Sequence, residues 1–160
     1  MATIGTLQRL SASSLSKILL AAQEAAAAGD PAIAIIDVRD DDYIGGHIKG
    51  AQNVPSRTLD AMLPTLVRQL RDKETVVFHC ALSQQRGPAA ALRYLRERER
   101  VIAAVEGSAE GSGEEGKQAP KEQKVFVLDQ GFVGWQEVYG TDERLTEGYR
   151  KELWADGYWM

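Results

Sequence analysis

Three short stretches of the chain are dominated by apolar and β-branched residues: Ala32-Ile33-Ala34-Ile35-Ile36-Asp37-Val38, Thr75-Val76-Val77-Phe78-His79 and Lys124-Val125-Phe126-Val127-Leu128. They do not alternate apolar with polar, as a strand with one wet face does. A run that stays apolar at both odd and even positions predicts a strand buried on both faces, as in a parallel sheet covered by helices. Between these runs the period becomes helical. Leu10-Ser11-Ala12-Ser13-Ser14 supplies hydroxyl N-caps, a helix is expected from about Leu15 to Ala28, and Gly29-Asp30-Pro31 stops it. Further helical patterns run from Arg57 to Leu70 and from Pro88 to Arg100. A short helix is expected over Gly131 to Val138, and a polar one from about Asp142 to Trp154. Strands alternating with helices predict an α/β domain with a mostly parallel central sheet and helices on both faces.

Residues 106–123 follow neither period. They are rich in Gly, Ser and Glu and offer nothing with which to build a core. We read them as a flexible surface insertion before the third strand, a tolerated loop rather than a regulatory one. The 160 residues suit a single domain, 1–160, large enough to bury about 70% of its unfolded surface. One cysteine excludes an internal disulfide, and one cysteine with two histidines argues against a closed zinc site, so no metal is expected. No apolar run approaches the roughly 20 residues needed to span a bilayer. Met1-Ala2-Thr3-Ile4-Gly5 shows no basic stretch before an apolar block, so no secretory signal is expected. The net charge of -4 argues against non-specific nucleic-acid binding. An intracellular, cytoplasmic protein is the expectation.

Chemistry concentrates in Phe78-His79-Cys80-Ala81-Leu82-Ser83-Gln84-Gln85-Arg86-Gly87-Pro88. A buried strand ends at His79, Cys80 follows, five residues intervene before Arg86, and Gly-Pro opens a helix. In open α/β sheets, ligands sit at the carboxyl ends of the strands, where Cys80 falls. A short loop curled into a helix N-terminus turns its N–H groups inward and makes an anion cradle, here from the amides of Ala81, Leu82, Ser83, Gln84, Gln85 and Arg86. Pro88 suits the first helical turn, where its missing donor is not needed. Arg86 is able to fork two oxygens of a tetrahedral oxyanion. A sulfur at the base of the loop would then lie in line for attack, and the helix N-terminus with the nearby cation would favour its thiolate. Ionisation alone gains only about thirty-fold at neutral pH, so preorganised donors must carry the larger share, up to ~3 kcal/mol each. Arg86 is therefore expected to matter nearly as much as Cys80.

The other polar residues have plainer readings. His79 is expected to shape the loop by hydrogen bonding rather than to transfer protons. Ser83 has two open roles, donating to the anion or thiolate, or capping its own backbone. Asp37 is a conceivable general acid, but a structural pairing with Arg39 or a backbone amide is the better reading. Asp40, Asp41 and Asp42 read as a solvated turn, which leaves the general acid unassigned. His47 is expected to be a fold-determining hydrogen bonder. Arg93, Arg96, Arg98 and Arg100 suit the end of their helix and need no nucleic acid. Tyr149, Trp154, Tyr158 and Trp159 are expected to pack the last helix on the domain.

His79-Cys80-x5-Arg86-Gly87-Pro88 resembles the active-site loop of the cell-division-cycle dual-specificity phosphatases with a rhodanese fold. Ile35-Ile36-Asp37-Val38-Arg39, with Tyr43-Ile44-Gly45-Gly46-His47-Ile48-Lys49-Gly50-Ala51, resembles that family's upstream signature. Val127 through Trp135 resembles the closing strand-turn-helix of rhodanese domains. The small single-domain fungal and plant members, which include eukaryotic arsenate reductases, are the most similar subgroup. The resemblance implies a rhodanese-like domain and a cysteine-dependent phosphoprotein phosphatase, with tyrosine or dual specificity, that works through a cysteinyl-phosphate. It implies a place in the cytoplasm and also the nucleus. It also implies an alternative: reduction of arsenate by Cys80, with glutathione or glutaredoxin as reductant. Seven residues from Cys80 to Arg86 suit phosphate or arsenate, whereas sulfurtransferases in this fold carry a loop one residue shorter. Ala81 and Gln85 are neutral where larger members are acidic, and a second, trapping cysteine is missing. A third reading is a module that binds an anion or phosphoprotein without turnover.

Overall fold

The computed structural model describes residues 7–25, 32–109 and 122–155. The three apolar runs become β2 (Ile33–Asp37), β5 (Thr75–His79) and β6 (Lys124–Leu128), the middle of a five-stranded sheet. Its edges are β1 (Gln8–Leu10) and β4 (Gln52–Asn53), in the order β1-β6-β5-β2-β4, and all four pairings are parallel. Successive side chains on a strand point to opposite faces, so each run feeds two cores. Val76, Phe78 and Val127 face α2 (Leu59–Gln69) and α3 (Arg86–Ala109), against Leu63, Leu66 and Tyr94. Ile33, Ile35 and Val77 face the other way, against Leu15 and Leu19 of α1 (Ala12–Ala25) and Trp135 of α4 (Gly131–Tyr139). The expected α/β architecture, a parallel sheet with helices on both faces, is the one observed.

The structure differs in several element boundaries, each with a physical reason. Helix α1 begins three residues early because Ser11 is its N-cap: the Ser14 N–H donates to Ser11 Oγ at 3.1 Å. The Gly29-Asp30-Pro31 stop lies outside the described residues. The segment after Arg57 starts as a 3-10 turn, Ser56–Thr58, before α2. Helix α3 extends past Arg100 to Ala109, four residues into the stretch expected as an insertion, since lengthening a helix costs far less than starting one. Residues 110–121 lie outside the described part. At the far end Gln123 is tied down, its amide donating to Leu70 O at 2.8 Å and Lys73 O at 2.9 Å.

The polar helix expected over 142–154 does not form. Gly148 adopts φ +66°, and Thr146 is buried, accepting from Trp135 Nε1 at 2.9 Å and donating to Tyr139 O at 2.7 Å. That anchor lets β7 (Thr146–Glu147) pair antiparallel with β3 (His47–Ile48), and only Lys151–Ala155, α5, is helical. Trp154 does pack as expected, tilted on Phe132 with ring centroids 5.6 Å apart and donating to Gly45 O at 2.9 Å. Tyr158 and Trp159 are outside the described residues. His47 lies 3.4 Å from a Glu147 carboxylate oxygen and stacks on Tyr43. No helix among the described residues is long and apolar enough to cross a membrane.

Candidate active site

Strand β5 is the central strand of the sheet, and its chain runs directly from His79 into Cys80 and the 80–86 loop. The loop curls because Ser83, fully buried, takes a left-handed conformation with φ +56°. A non-glycine residue held there costs about 1–3 kcal/mol and persists only where its surroundings insist. They do: the Ser83 N–H donates to Cys80 Sγ at 3.2 Å, Ser83 Oγ accepts from the Cys80 N–H at 3.4 Å, and Ser83 O accepts from Arg9 at 3.2 Å. The Ser83 hydroxyl thus lies on the backbone, and it is the amide of Ser83 that donates to the sulfur.

The first two carbonyls of the loop are fastened by backbone amides of α4. Cys80 O accepts from the Phe132 N–H at 3.0 Å, and Ala81 O from the Val133 N–H at 2.9 Å. The first turn of α4 therefore forms the floor of the loop. Gly131 makes this approach possible: with φ +56°, a Cβ there would stand 2.5 Å from the carbonyl oxygens of both Cys80 and Ala81. Among the described residues, no acceptor takes the N–H groups of Ala81, Leu82, Gln84, Gln85 or Arg86. Carbonyls held and amides free is the arrangement of an anion-binding nest. Leu82, Gln84 and Gln85 are exposed, and Leu82 and Gln84 line a shallow cleft of about 350 Å³ beside α4.

His79 sits beneath the loop, wholly buried. Its Nδ1 lies 3.0 Å from Cys80 O, while Nε2 has no hydrogen-bond partner among the described residues and stands 3.7 Å from Asp37. Burial pushes the imidazole below its ordinary range, against the pull of Asp37. Asp37 is the register partner of His79 on β2 and is equally buried. It accepts a fork from Arg39, with Nη2 at 2.7 Å and Nε at 3.1 and 3.0 Å. Burial alone would raise the carboxyl, but the neighbouring His79 and the Arg39 fork outweigh it and hold Asp37 below its usual range. Asp37 is thus paired with Arg39 and sealed from solvent, the structural pairing weighed for it above.

Arg86 begins α3 at the mouth of the loop. Its Nη1 and Nη2 donate to the two oxygens of Asp42 at 2.8 and 2.6 Å, and Nη1 also reaches Asp40 at 3.3 Å. The solvated turn expected at 40–42 is therefore corrected for two of its members. Only Asp41 is freely exposed, paired loosely with Arg57, whereas Asp40 and Asp42 are part-buried partners of the loop arginine. The Arg86 fork, ahead of burial, holds Asp42 below the carboxylate range, and the Asp42 hydrogen bonds raise Arg86 in turn. Asp40 is also lowered: burial opposes, and bonds from Ser56, Arg57 N–H and Arg86 prevail. Sequence reasoning passed over Asp42, Arg9 and the role of Gly131, because each meets the loop across a long stretch of chain. Among the described residues, no group of three His, Cys, Asp or Glu side chains is placed to hold a metal ion.

Comparison with known proteins agrees with this geometry. Residues 20–138 match the rhodanese-like domain. The CDC25-like phosphatase YCH1 of Saccharomyces cerevisiae is 38% identical over 130 residues, which are 75% of this chain and 76% of that one. Arsenate reductase 2.1 of Oryza sativa subsp. japonica is 40% identical over 129 residues, 78% of this chain and 69% of that one. Among solved structures, Saccharomyces cerevisiae Ygr203w is described as a homolog of single-domain rhodanese and the Cdc25 phosphatase catalytic domain. It superposes with a TM-score of 0.69 at 32% identity, over 95% of this chain and 94% of that one. Homologues of this chain are thus CDC25-like phosphatases and arsenate reductases, and the chain itself belongs to the rhodanese-like domain family.

Proposed function

We propose that this chain is a cysteine-dependent phosphatase, acting on phosphoproteins with tyrosine or dual specificity. The observation that carries the reading is the Ser83 N–H on Cys80 Sγ at 3.2 Å, inside a seven-residue loop whose first two carbonyls are held by α4. The sulfur attacks phosphorus, the bond from phosphorus to the leaving oxygen breaks, and that oxygen takes its proton from solvent or from the substrate. Water then attacks the cysteinyl-phosphate, the sulfur–phosphorus bond breaks, and inorganic phosphate leaves with the thiolate restored. Amides of residues 81–86 and the side chain of Arg86 hold the equatorial oxygens, where the transition state gathers charge. Asp42, lowered chiefly by Arg86, and Asp40, lowered by Ser56, the Arg57 N–H and Arg86 against burial, are poor proton donors, so turnover is expected to favour good leaving groups such as aryl oxides. The cytoplasm and nucleus are the setting that this reading proposes.

A second reading rests on the single cysteine of the chain. In arsenate reduction, Cys80 displaces an oxygen from arsenic as water. A glutathione thiol then attacks the sulfur of Cys80, arsenic takes up two electrons, and arsenite leaves a mixed disulfide between Cys80 and glutathione. Glutaredoxin or a further thiol reduces that disulfide. An enzyme that borrows its second thiol needs no second cysteine, and the rice relative named arsenate reductase supports the reading.

The test is hydrolysis of an aryl phosphate by the wild type and Cys80→Ser. Turnover that disappears with the sulfur supports the phosphatase. Turnover that survives Cys80→Ser sinks both cysteine mechanisms. Absence of turnover together with thiol-dependent arsenate consumption transfers the assignment to the reductase. Phosphate binding with neither activity would leave only a binding module.

A further inference from the structure

Resting on the proposal that Cys80 and Arg86 handle an oxyanion, we infer that Asp42, braced by Asp40, is a positioning residue that presents one free edge of the Arg86 guanidinium to the substrate. A guanidinium has five N–H bonds. Three of those on Arg86 are taken: Nη1 and Nη2 fork Asp42, and the other Nη1 hydrogen goes to Asp40. The two that remain are the Nε–H and the second Nη2–H. These lie parallel along the side edge of the group, spaced to meet two oxygens of one tetrahedral anion. Among the described residues, no acceptor occupies that edge.

The carboxylates are themselves held, which distinguishes a bracket from a transient capture. Asp42 Oδ1 accepts the Asp40 N–H at 2.9 Å. Asp40 accepts from Ser56 Oγ at 2.6 Å and from the Arg57 N–H at 3.1 Å. Fixing the plane of Arg86 in this way spares the long side chain an ordering cost when the anion arrives. A competing role, in which the carboxylates lock Arg86 away from substrate, would require three charge-assisted bonds to break on every turnover, whereas the free edge requires none to break. Two carboxylates against one guanidinium also leave the trio at net charge -1, so positioning has to outweigh a Coulombic cost to the anion. The two roles therefore predict opposite signs on anion binding.

The experiment compares wild type, Asp42→Asn, Asp40→Asn, Arg86→Ala and the Arg86→Ala/Asp42→Asn double variant, each checked for folding by its unfolding midpoint. Two readouts are used: kcat and KM for an aryl phosphate with inorganic phosphate as competitive inhibitor, and the ratio of Cys80 alkylation by anionic iodoacetate to that by neutral iodoacetamide. Asp42→Asn is expected to lower kcat/KM about tenfold or more. It should weaken inorganic phosphate inhibition and lower the alkylation ratio, while Asp40→Asn does the same to a smaller extent. In the Arg86→Ala background Asp42→Asn should change nothing further, the mark of a residue acting through another. Unchanged or tighter phosphate inhibition in a folded Asp42→Asn protein overturns the inference, as does an Asp42 effect that persists without Arg86. Should Asp42→Asn fail to fold, the sign of the Asp40→Asn effect decides. The alkylation ratio needs no turnover, so a wild type inactive on aryl phosphate would sink the phosphatase reading and still leave this inference to be judged.

Discussion

Two arginine–aspartate forks share the chain stretch 37–42, and they do different work. Arg39 and Asp37 are both 0% exposed, and the Arg39 guanidinium lies 4.4 Å from the ring centre of Phe132 and 5.0 Å from that of Tyr43. Its other donors end on Ile44 O at 3.3 Å and Gly46 O at 2.8 Å. Arg86 and Asp42 are each about a third exposed, at 33% and 32%, and the fork leaves one edge of the arginine open. The same ion pair is sealed where each guanidinium nitrogen meets an acceptor, as in Arg39, and half-open where the Nε of Arg86 has none among the described residues. Arg39 also fixes the 43–46 loop beside α4, while Arg86, at the start of α3, ties the 40–42 turn to the Cys80 loop.

The sharpest way to break this comparison is to remove each arginine. Arg39→Ala leaves Asp37 buried and alone, a loss of about 3–5 kcal/mol, to be read as a collapsed denaturation midpoint. Arg86→Ala should instead leave stability within about 1 kcal/mol, because its pair is a third exposed and solvent screens it. On the proposed chemistry it should cut aryl phosphate turnover by roughly 10²–10³-fold. Equal stability losses in the two variants would erase the distinction. Gly131→Ala comes next. It forces a Cβ against the Cys80 and Ala81 carbonyls at positive φ, which should cost about 1–3 kcal/mol and degrade turnover through the loop floor, as paired stability and rate measurements would report.

The buried layer beneath the loop has its own pH signature. The folded pKa of His79 is lowered by burial, so the unfolded chain takes up a proton as pH falls below about 6.5 while the native imidazole does not. Its stability contribution is complete above that pH and is lost as pH falls toward the folded value. Urea denaturation at pH 7.5 and 5.5 should show the loss in the wild type and a flatter slope in His79→Asn. Equal slopes would count against it. The depressed carboxyls of Asp37, Asp40 and Asp42 act in a separate window, below about 3.8. Smallest of all is Arg9→Ala. It removes one part-buried contact to Ser83 O and the exposed 3.4 Å pair with Asp129, with under about 1 kcal/mol expected in stability and a modest fall in turnover.

Much of this was readable before any coordinates. The strands at 33–37, 75–79 and 124–128 announce themselves because two-sided burial demands apolar residues at every position. Cys80 and Arg86 announce themselves because the chemistry closes within one short loop. The short strands β1, β3, β4 and β7 left no such trace, since two or three residues carry no period and exist only through their pairing partners. The helix expected near the C-terminus failed for the same reason: the Trp135–Thr146 bond, made across a turn, outranked local helical preference. Asp42 looked like part of a solvated charge run, and nothing local said otherwise.

By itself, then, the sequence determined the α/β class, the parallel sheet and the loop that places a sulfur at a strand end. Those depend on composition and on spacings of a few residues. Only the tertiary structure decided which aspartate is a strut and which a bracket. Arg86 lies 44 positions from Asp42, and Arg9 lies 74 from Ser83. Burial and hydrogen-bond partnership at such separations are set by how the sheet stacks its strands, and no local pattern encodes them.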